Sequence, residues 1–562
     1  SYPYFTTSIG VNKILFSAKD SLSGVELWSS DGTSTGTVLA KDINQSKSES
    51  SILTTGVIAS TSTGVVFPAF EQTHGNEPYY SEGNTATTKL ISDLMPGEKG
   101  SSIHAMQTVN DNVYFIADSD ENNLKAIYMF KNTGKQLVKI FEAPSGNDIK
   151  SYAVAENGLV FFEMGNFYSS QFDLWRSDGT AAGSFLLKSG YSYYYYEIST
   201  EIVTIGNTAY LPFADQYYGV ELYKSDGSVS GTKMVSDLYA GSNGSYPHSL
   251  INYNGTLMFG AQDEDGLNYL WRSNGTIAGT KKVAQIQIAT TNNNYRKNDV
   301  YCISHGLLYI NVLSNSYYNY NSALWTSNGT SAGTKQVRII SANYDATINN
   351  LTDVNGTVYF SANDGINGNE IWQSNGTLVG TILIRDITSG SGGTNLSDFC
   401  SIGSRLYFVA NGTLWTSTGA GNKTLPVNDA GLQGVYNINS LAAAGNKLFF
   451  SGVSDMHGAE LYEGDVSAQS VASNNAVAKN LNTLLKAEIS PNPVINTAEL
   501  QLINAKNANV LLIDNTGKIM WQQTNVNTTH IKIPMQQYAA GLYYVKIISE
   551  GETTTIKLIK QK

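Results

Sequence analysis

Acidic residues six apart recur along the chain: Asp20 and Glu26, Glu71 and Glu77, Asp215 and Glu221, Asp364 and Glu370. Oxygen donors on the two sides of a short turn are what a Ca²⁺ loop needs. Asp118 with Asp120, and Asp263 with Asp265, fall in the same phase and are the candidate metal ligands. None of these segments completes an EF-hand through its distal Glu, and repetition along the chain argues for a structural turn or a cross-strand bond instead. The expectation is no resident cofactor, with Ca²⁺ the one candidate ion.

The six histidines (His74, His104, His248, His305, His457 and His530) are dispersed and form no HExxH pair. GxSxG occurs only inside the repeated turn segment, at Gly32–Gly36 and Gly329–Gly333, and no Walker loop or post-strand GxGxxG is present. Cys302 and Cys400 are the only cysteines, too far apart for a zinc framework or a disulfide scaffold. A non-enzymatic protein is therefore expected. The alternative is a polysaccharide hydrolase or lyase whose acids converge from separate strands.

Tyrosines offer a different chemistry. Tyr193, Tyr194 and Tyr195 are consecutive, as are Tyr217 and Tyr218, and Tyr317 and Tyr318. Successive strand side chains point to opposite faces, so runs of Tyr leave some rings exposed. An exposed phenol can stack on a sugar and hydrogen-bond it, which makes these residues a candidate surface for glycan or protein. Edge-strand packing and loop ordering explain them equally well. Net charge is −11 and Lys and Arg are scattered singly, so no basic stripe exists for nucleic acid.

These residues are positioned by a repeat. ELWSSDGTSTGT from Glu26 returns at Asp173, Glu221, Tyr269, Ala323 and Glu370, with degenerate copies between. The aromatic at the Trp position marks the period: Trp28, Tyr79, Tyr128, Trp175, Tyr223, Trp271, Trp325, Trp372, Trp415 and Tyr462. Ten marks about 48 residues apart have the spacing of four-stranded propeller blades. Two Asn-Gly or Asp-Gly pairs per period signal tight hairpins. The expected fold is all-β: one large propeller of about ten four-stranded blades over residues 1–470, although two smaller propellers or a solenoid accommodate the same spacing. The stretch SNSYYNYN, residues 314–321, reads as a surface loop.

The ELWxSDGTxxGT copies resemble repeats of large secreted Bacteroidetes proteins, some gliding-associated. Asp20-Ser21-Leu22 resembles the O-glycosylation acceptor of that phylum, which makes Ser21 a candidate glycan site.

Residues 471–486 read as a linker, and residues 487–562 as about seven short strands of a small immunoglobulin-like sandwich. Three features identify this segment: Ser490-Pro491-Asn492-Pro493 at its start, IDNTGKIM with Gly517, and YAAGLYYVKI with Gly541, Tyr543 and Val545. A fourth is the terminal run Lys557, Leu558, Ile559 and Lys560. Together they resemble the type A C-terminal sorting domain of the type IX (Por) secretion system. That resemblance implies binding by an outer-membrane shuttle of the PorV type, passage through a SprA-type translocon and removal by a cell-surface sortase. The cargo would reach the cell surface or medium through the periplasm and outer membrane. The chain opens at Ser-Tyr-Pro-Tyr without Met or an apolar segment, as expected of an exported chain whose signal has been removed.

Overall fold

The computed structural model describes residues 4–10, 13–20, 24–33, 35–44, 58–119, 123–166, 171–191, 201–288, 300–316, 319–340, 348–427, 435–444, 447–454, 458–465, 486–490, 493–503, 507–514, 518–549 and 552–561. The chain divides into two compact units, Ser1–Asp465 and Val466–Lys562. Most of the expected linker lies outside the described residues, but Lys486 already opens a strand of the second unit.

Among the described residues ten sheets follow one another through the first unit, each built from consecutive segments with no strand exchanged. The third strand of every sheet carries one of the ten aromatic marks. Blade eight shows the pattern, with antiparallel strands Ile348–Val354, Thr357–Asn363, Asn369–Ser374 and Ile382–Arg385 in that order. Its second strand, TVYFSAN, is buried almost throughout because blades cover both faces, so it reads as a nearly continuous apolar run. Blade seven adds Gln287–Ile288 beside Leu307–Ser316.

The two Asn-Gly pairs of a period do different work. Asn355 and Gly356 have φ of 49° and 89°, the pair of positive values that a tight hairpin turn needs. At Asn375-Gly376 only the glycine has positive φ, and the Asn is a side-chain acceptor. Its Oδ1 takes the Thr377 N–H at 3.1 Å and the Thr377 hydroxyl at 2.7 Å, while Thr377 Oγ1 accepts the Gly380 N–H at 3.0 Å. The Ser374 and Thr381 hydroxyls close the turn at 2.7 Å. A Cβ on Gly380 would lie 2.0 Å from Asn375 Oδ1, so glycine is fixed there by close approach. Asp31, Asp178, Asp226, Asn274 and Asn328 repeat these bonds. The conserved-looking grammar of the repeat is thus one self-wired turn.

Blades pack face to face and share their cores. Tyr309 and Leu324 of blade seven meet Phe360 and Trp372 of blade eight. Trp271 of blade six meets Tyr210 and Leu222 of blade five. Between the last and first blades, Phe449 and Ala444 pack with Ile14, Phe16 and Ala18. The strands Tyr4–Ile9 and Val435–Ala444 lie side by side there, and the Lys447 ammonium donates to the Asp31 carbonyl. The ring closes on itself, which selects one ten-bladed propeller over two smaller ones or a solenoid.

One expected loop is a strand instead. Leu307–Ser316 and Asn319–Ser327 pair as far as Ser316 with Asn319, so the residues around Tyr317 and Tyr318 extend a hairpin. Alternating Ser, Asn and Tyr side chains do not distinguish an extended hairpin from a polar loop when the apolar pattern is absent.

The second unit is a sandwich. One sheet holds Lys486–Ser490, Thr497–Ile503 and His530–Pro534; the other orders Ile519–Val526, Ala508–Asp514, Gly541–Ser549 and Glu552–Lys560. Alternate residues of both sheets fill one core, including Leu500, Leu512, Val545, Ile547 and Leu558.

Candidate functional site

The recurrent acids divide by position. Where a Glu precedes the aromatic mark, at Glu26, Glu77, Glu221 and Glu370, it is buried and reaches forward to the crossover that leads into the next blade. Glu77 accepts the N–H groups of Leu94 (3.0 Å) and Met95 (3.2 Å). Glu221 accepts those of Leu238 and Tyr239, both at 3.2 Å, and the Ser245 hydroxyl at 2.6 Å. Glu26 and Glu370 make the same backbone bonds. The earlier acid organises the hairpin tip at Asp215, which accepts the Tyr217 N–H at 2.9 Å, and at Asp364, which accepts those of Ile366 (2.9 Å) and Asn367 (2.7 Å). Asp263 accepts the N–H groups of Asp265 (3.1 Å) and Leu267 (3.0 Å) and is paired with Lys282. Burial opposes ionisation of Asp263, yet Lys282 and these N–H groups outweigh it and lower its pKa. Asp118 pairs with Lys125 at 2.6 Å, Asp265 is exposed, and Asp120 lies outside the described residues. Among the described residues no three His, Cys, Asp or Glu side chains converge as a metal set.

Burial pushes the carboxyls of Glu77, Glu163 and Glu221 up to about 7; Asp93 beside Glu77 and Asp237 beside Glu221 add like-charge repulsion. A carboxyl raised in the folded state contributes stability that is complete below its unfolded pKa and lost as pH rises through the folded value. The ordinary Glu value of 4.5 and the folded value of about 7 bound the window. His248, held down to about 4 by burial, acts in the opposite sense across part of it. Three carboxyls outweigh one imidazole, so the melting temperature should fall between about pH 4.5 and 7. The double variant Glu77→Gln, Glu221→Gln keeps an acceptor and removes the charge. Its pH–melting profile should be flatter; an unchanged slope excludes these groups as the cause.

Tyr217 and Tyr218 cap the hairpin between Thr208–Asp215 and Gly219–Ser225, 70% and 41% exposed. Tyr193, Tyr194, Tyr195, Tyr317, Tyr318 and Ser21 lie outside the described residues. Cys302 and Cys400 are free thiols in blades seven and nine, which burial pushes up to about 12 and 11.

A second use of the repeat escaped the sequence reading. At three blade boundaries a basic residue near the end of one blade's outer strand covers the aromatic mark of the next. Lys188 lies 5.3 Å from the Tyr223 ring, Arg338 5.4 Å from Trp372 and Arg385 5.5 Å from Trp415. Arg338 and Arg385 also donate to the turn carbonyls of Thr381 (2.8 Å) and Thr424 (2.7 Å). Each is a cation–π contact combined with a hydrogen bond across a blade boundary. Aligning the repeats on their outer strands, rather than on the Trp motif, exposes this position.

In the terminal sandwich the motif residues separate into core and surface. Tyr543, Val545 and Leu558 are buried; the Tyr543 hydroxyl donates to Ala539 O at 3.0 Å. Pro493, Gly541, Lys557 and Ile559 are exposed, whereas Lys560 is buried. Pro491, Asn492 and Gly517 lie outside the described residues. The end of the terminal strand is not an open edge: Val494 N–H donates to Ile559 O and Gln561 N–H to Val494 O, both at 2.8 Å. On the opposite side of that sheet, Ile519–Val526 is an outer strand with mostly exposed side chains.

Residues 488–561 match the family model described as the secretion system C-terminal sorting domain. The chain is therefore a secretion cargo: a β-propeller that carries, at its C-terminal end, a type IX sorting domain. That domain directs export to the cell surface or beyond and implies interaction with the type IX machinery. No curated protein matches the chain. Similar solved structures include the β-propeller domain of the Trilobed protease from Pyrococcus furiosus, at 10% identity and TM-score 0.30, covering 65% of this chain and 95% of that one. The extracellular domain of a one-component system from B. thetaiotaomicron is 11% identical with TM-score 0.23, covering 100% and 98%. That of a hybrid two-component system from the same organism is 11% identical with TM-score 0.24, covering 100% and 91%. At these scores no argument rests on them.

Proposed function

We propose that this protein is a non-enzymatic binding protein, displayed or released at the cell surface, with an adhesive or gliding-associated role. The observation that carries the reading is the pairing in one chain of a closed ten-blade ring with a sorting domain. A propeller presents loops and inner strands from ten blades on two broad faces, a format suited to recognition of large or repetitive partners. The terminal unit would engage an outer-membrane shuttle of the PorV type, pass through a SprA-type channel and meet a surface sortase. The test is capture of the full-length chain from solubilised envelope. Co-recovery of an outer-membrane β-barrel shuttle is expected, and its absence from capture of an intact chain counts against the route.

A further inference from the structure

Around Trp325, three neighbouring positions that carry an aromatic ring or a cation in at least one other blade hold neither. In blade six, Trp271 has Tyr269 edge-on at 6.2 Å and Lys282 at 5.7 Å. The corresponding residues in blade seven are Ala323 and Gln336: Lys282 pairs with Trp271 as Gln336 pairs with Trp325. The cation supplied by the preceding blade, Arg338 over Trp372 or Arg385 over Trp415, corresponds to Ala284. Among the described residues no cation or aromatic ring lies over Trp325.

A cleft of about 380 Å³ lies there, between blades six and seven. Trp325 lines it with Asn268, Gln285, Gln287, Gln336 and Leu267, and among the described residues no lining residue is charged. Gln287 Oε1 is buried without a hydrogen-bond partner. Four amides around a half-buried indole provide both donors and acceptors beside a flat apolar face. The volume is that of a small-ligand pocket.

We infer that this cleft binds a neutral carbohydrate. A pyranose lays its C–H face on Trp325 and turns its hydroxyls, each both donor and acceptor, to the amides. An acidic sugar or a nucleotide would place an anion where no lining cation meets it. A purely apolar ligand would leave the amides, Gln287 Oε1 first, without partners. The inference rests on the reading of the ring as a binding module and names its ligand class.

The decisive variant is Ala284→Arg, which restores the cover present in blades eight and nine without touching the aromatic core. Purified full-length protein is titrated calorimetrically with cellohexaose, laminarihexaose, mannohexaose and chitohexaose, and with oligogalacturonate as the charged probe. At least one neutral probe should bind, and both Ala284→Arg and Trp325→Ala should weaken it by at least about tenfold. Ala284→Arg should keep the wild-type melting temperature, which separates blocked binding from misfolding. Binding of no neutral probe, binding of the charged probe alone, or equal binding by Ala284→Arg overturns the inference. The assay uses purified protein, so its failure leaves the export route intact, and failed export leaves the cleft intact.

Discussion

A chain lacking residues 553–562 should not leave the cell. The strand Glu552–Lys560 pairs with Gly541–Ser549 along its whole length and places Leu558, fully buried, in the sandwich core. Its end also fastens Val494, which is itself fully buried. Deletion removes all three contributions and leaves the apolar faces of Val545 and Ile547 uncovered. The ten-blade unit has its own cores and should stay folded, so the truncated protein should accumulate inside the cell as a protease-resistant ring. Immunoblots of medium, surface and periplasm check this directly, and secretion at the normal level would refute the assignment of the export address. A milder change, Leu558→Ala, should cost the sandwich about 2–5 kcal/mol and reduce export without abolishing it.

Phe449→Ala should open the ring. Phe449 is fully buried between the tenth and first blades, against Ile14, Phe16 and Ala18. Truncating a buried Phe costs about 3–5 kcal/mol through lost transfer energy and the cavity left behind. At this joint the cost falls on a junction that no strand crosses, whereas every other pair of blades is also connected by the chain. Phe360→Ala removes the same side chain between blades seven and eight and should lower the unfolding midpoint by a comparable amount. The two should differ in size: small-angle scattering of Phe449→Ala should show an enlarged radius of gyration, that of Phe360→Ala an unchanged one. Equal radii for wild type and Phe449→Ala would show that the joint withstands the loss.

Much of the ring was legible because its regularity is written locally. Each aromatic mark lies on a third strand, and Asn355-Gly356 reports its hairpin through the φ values that only a few residue types adopt. The acids were legible in register but not in role. Glu77 bonds to backbone N–H groups 17 and 18 residues further on, and a backbone amide carries no residue signature. Asp263 looked like an ion ligand because the lysine that neutralises it, Lys282, comes from a different strand. The sorting motif was legible as a set of residues, but not the division that buries Leu558 and Lys560 and exposes Lys557 and Ile559. The cleft at Trp325 escaped because it is defined by what Ala284, Ala323 and Gln336 fail to be.

The uncrossed joint between blades ten and one has a temporal meaning. Every sheet in the ring is made from one contiguous stretch of chain, so a blade can form as soon as its own residues are free. Nine blades can therefore assemble in sequence while the circle stays unfinished. Phe16 and Phe449 meet only when the last of the 465 residues arrives, and until then both are bare. The joint is a clasp that fastens last.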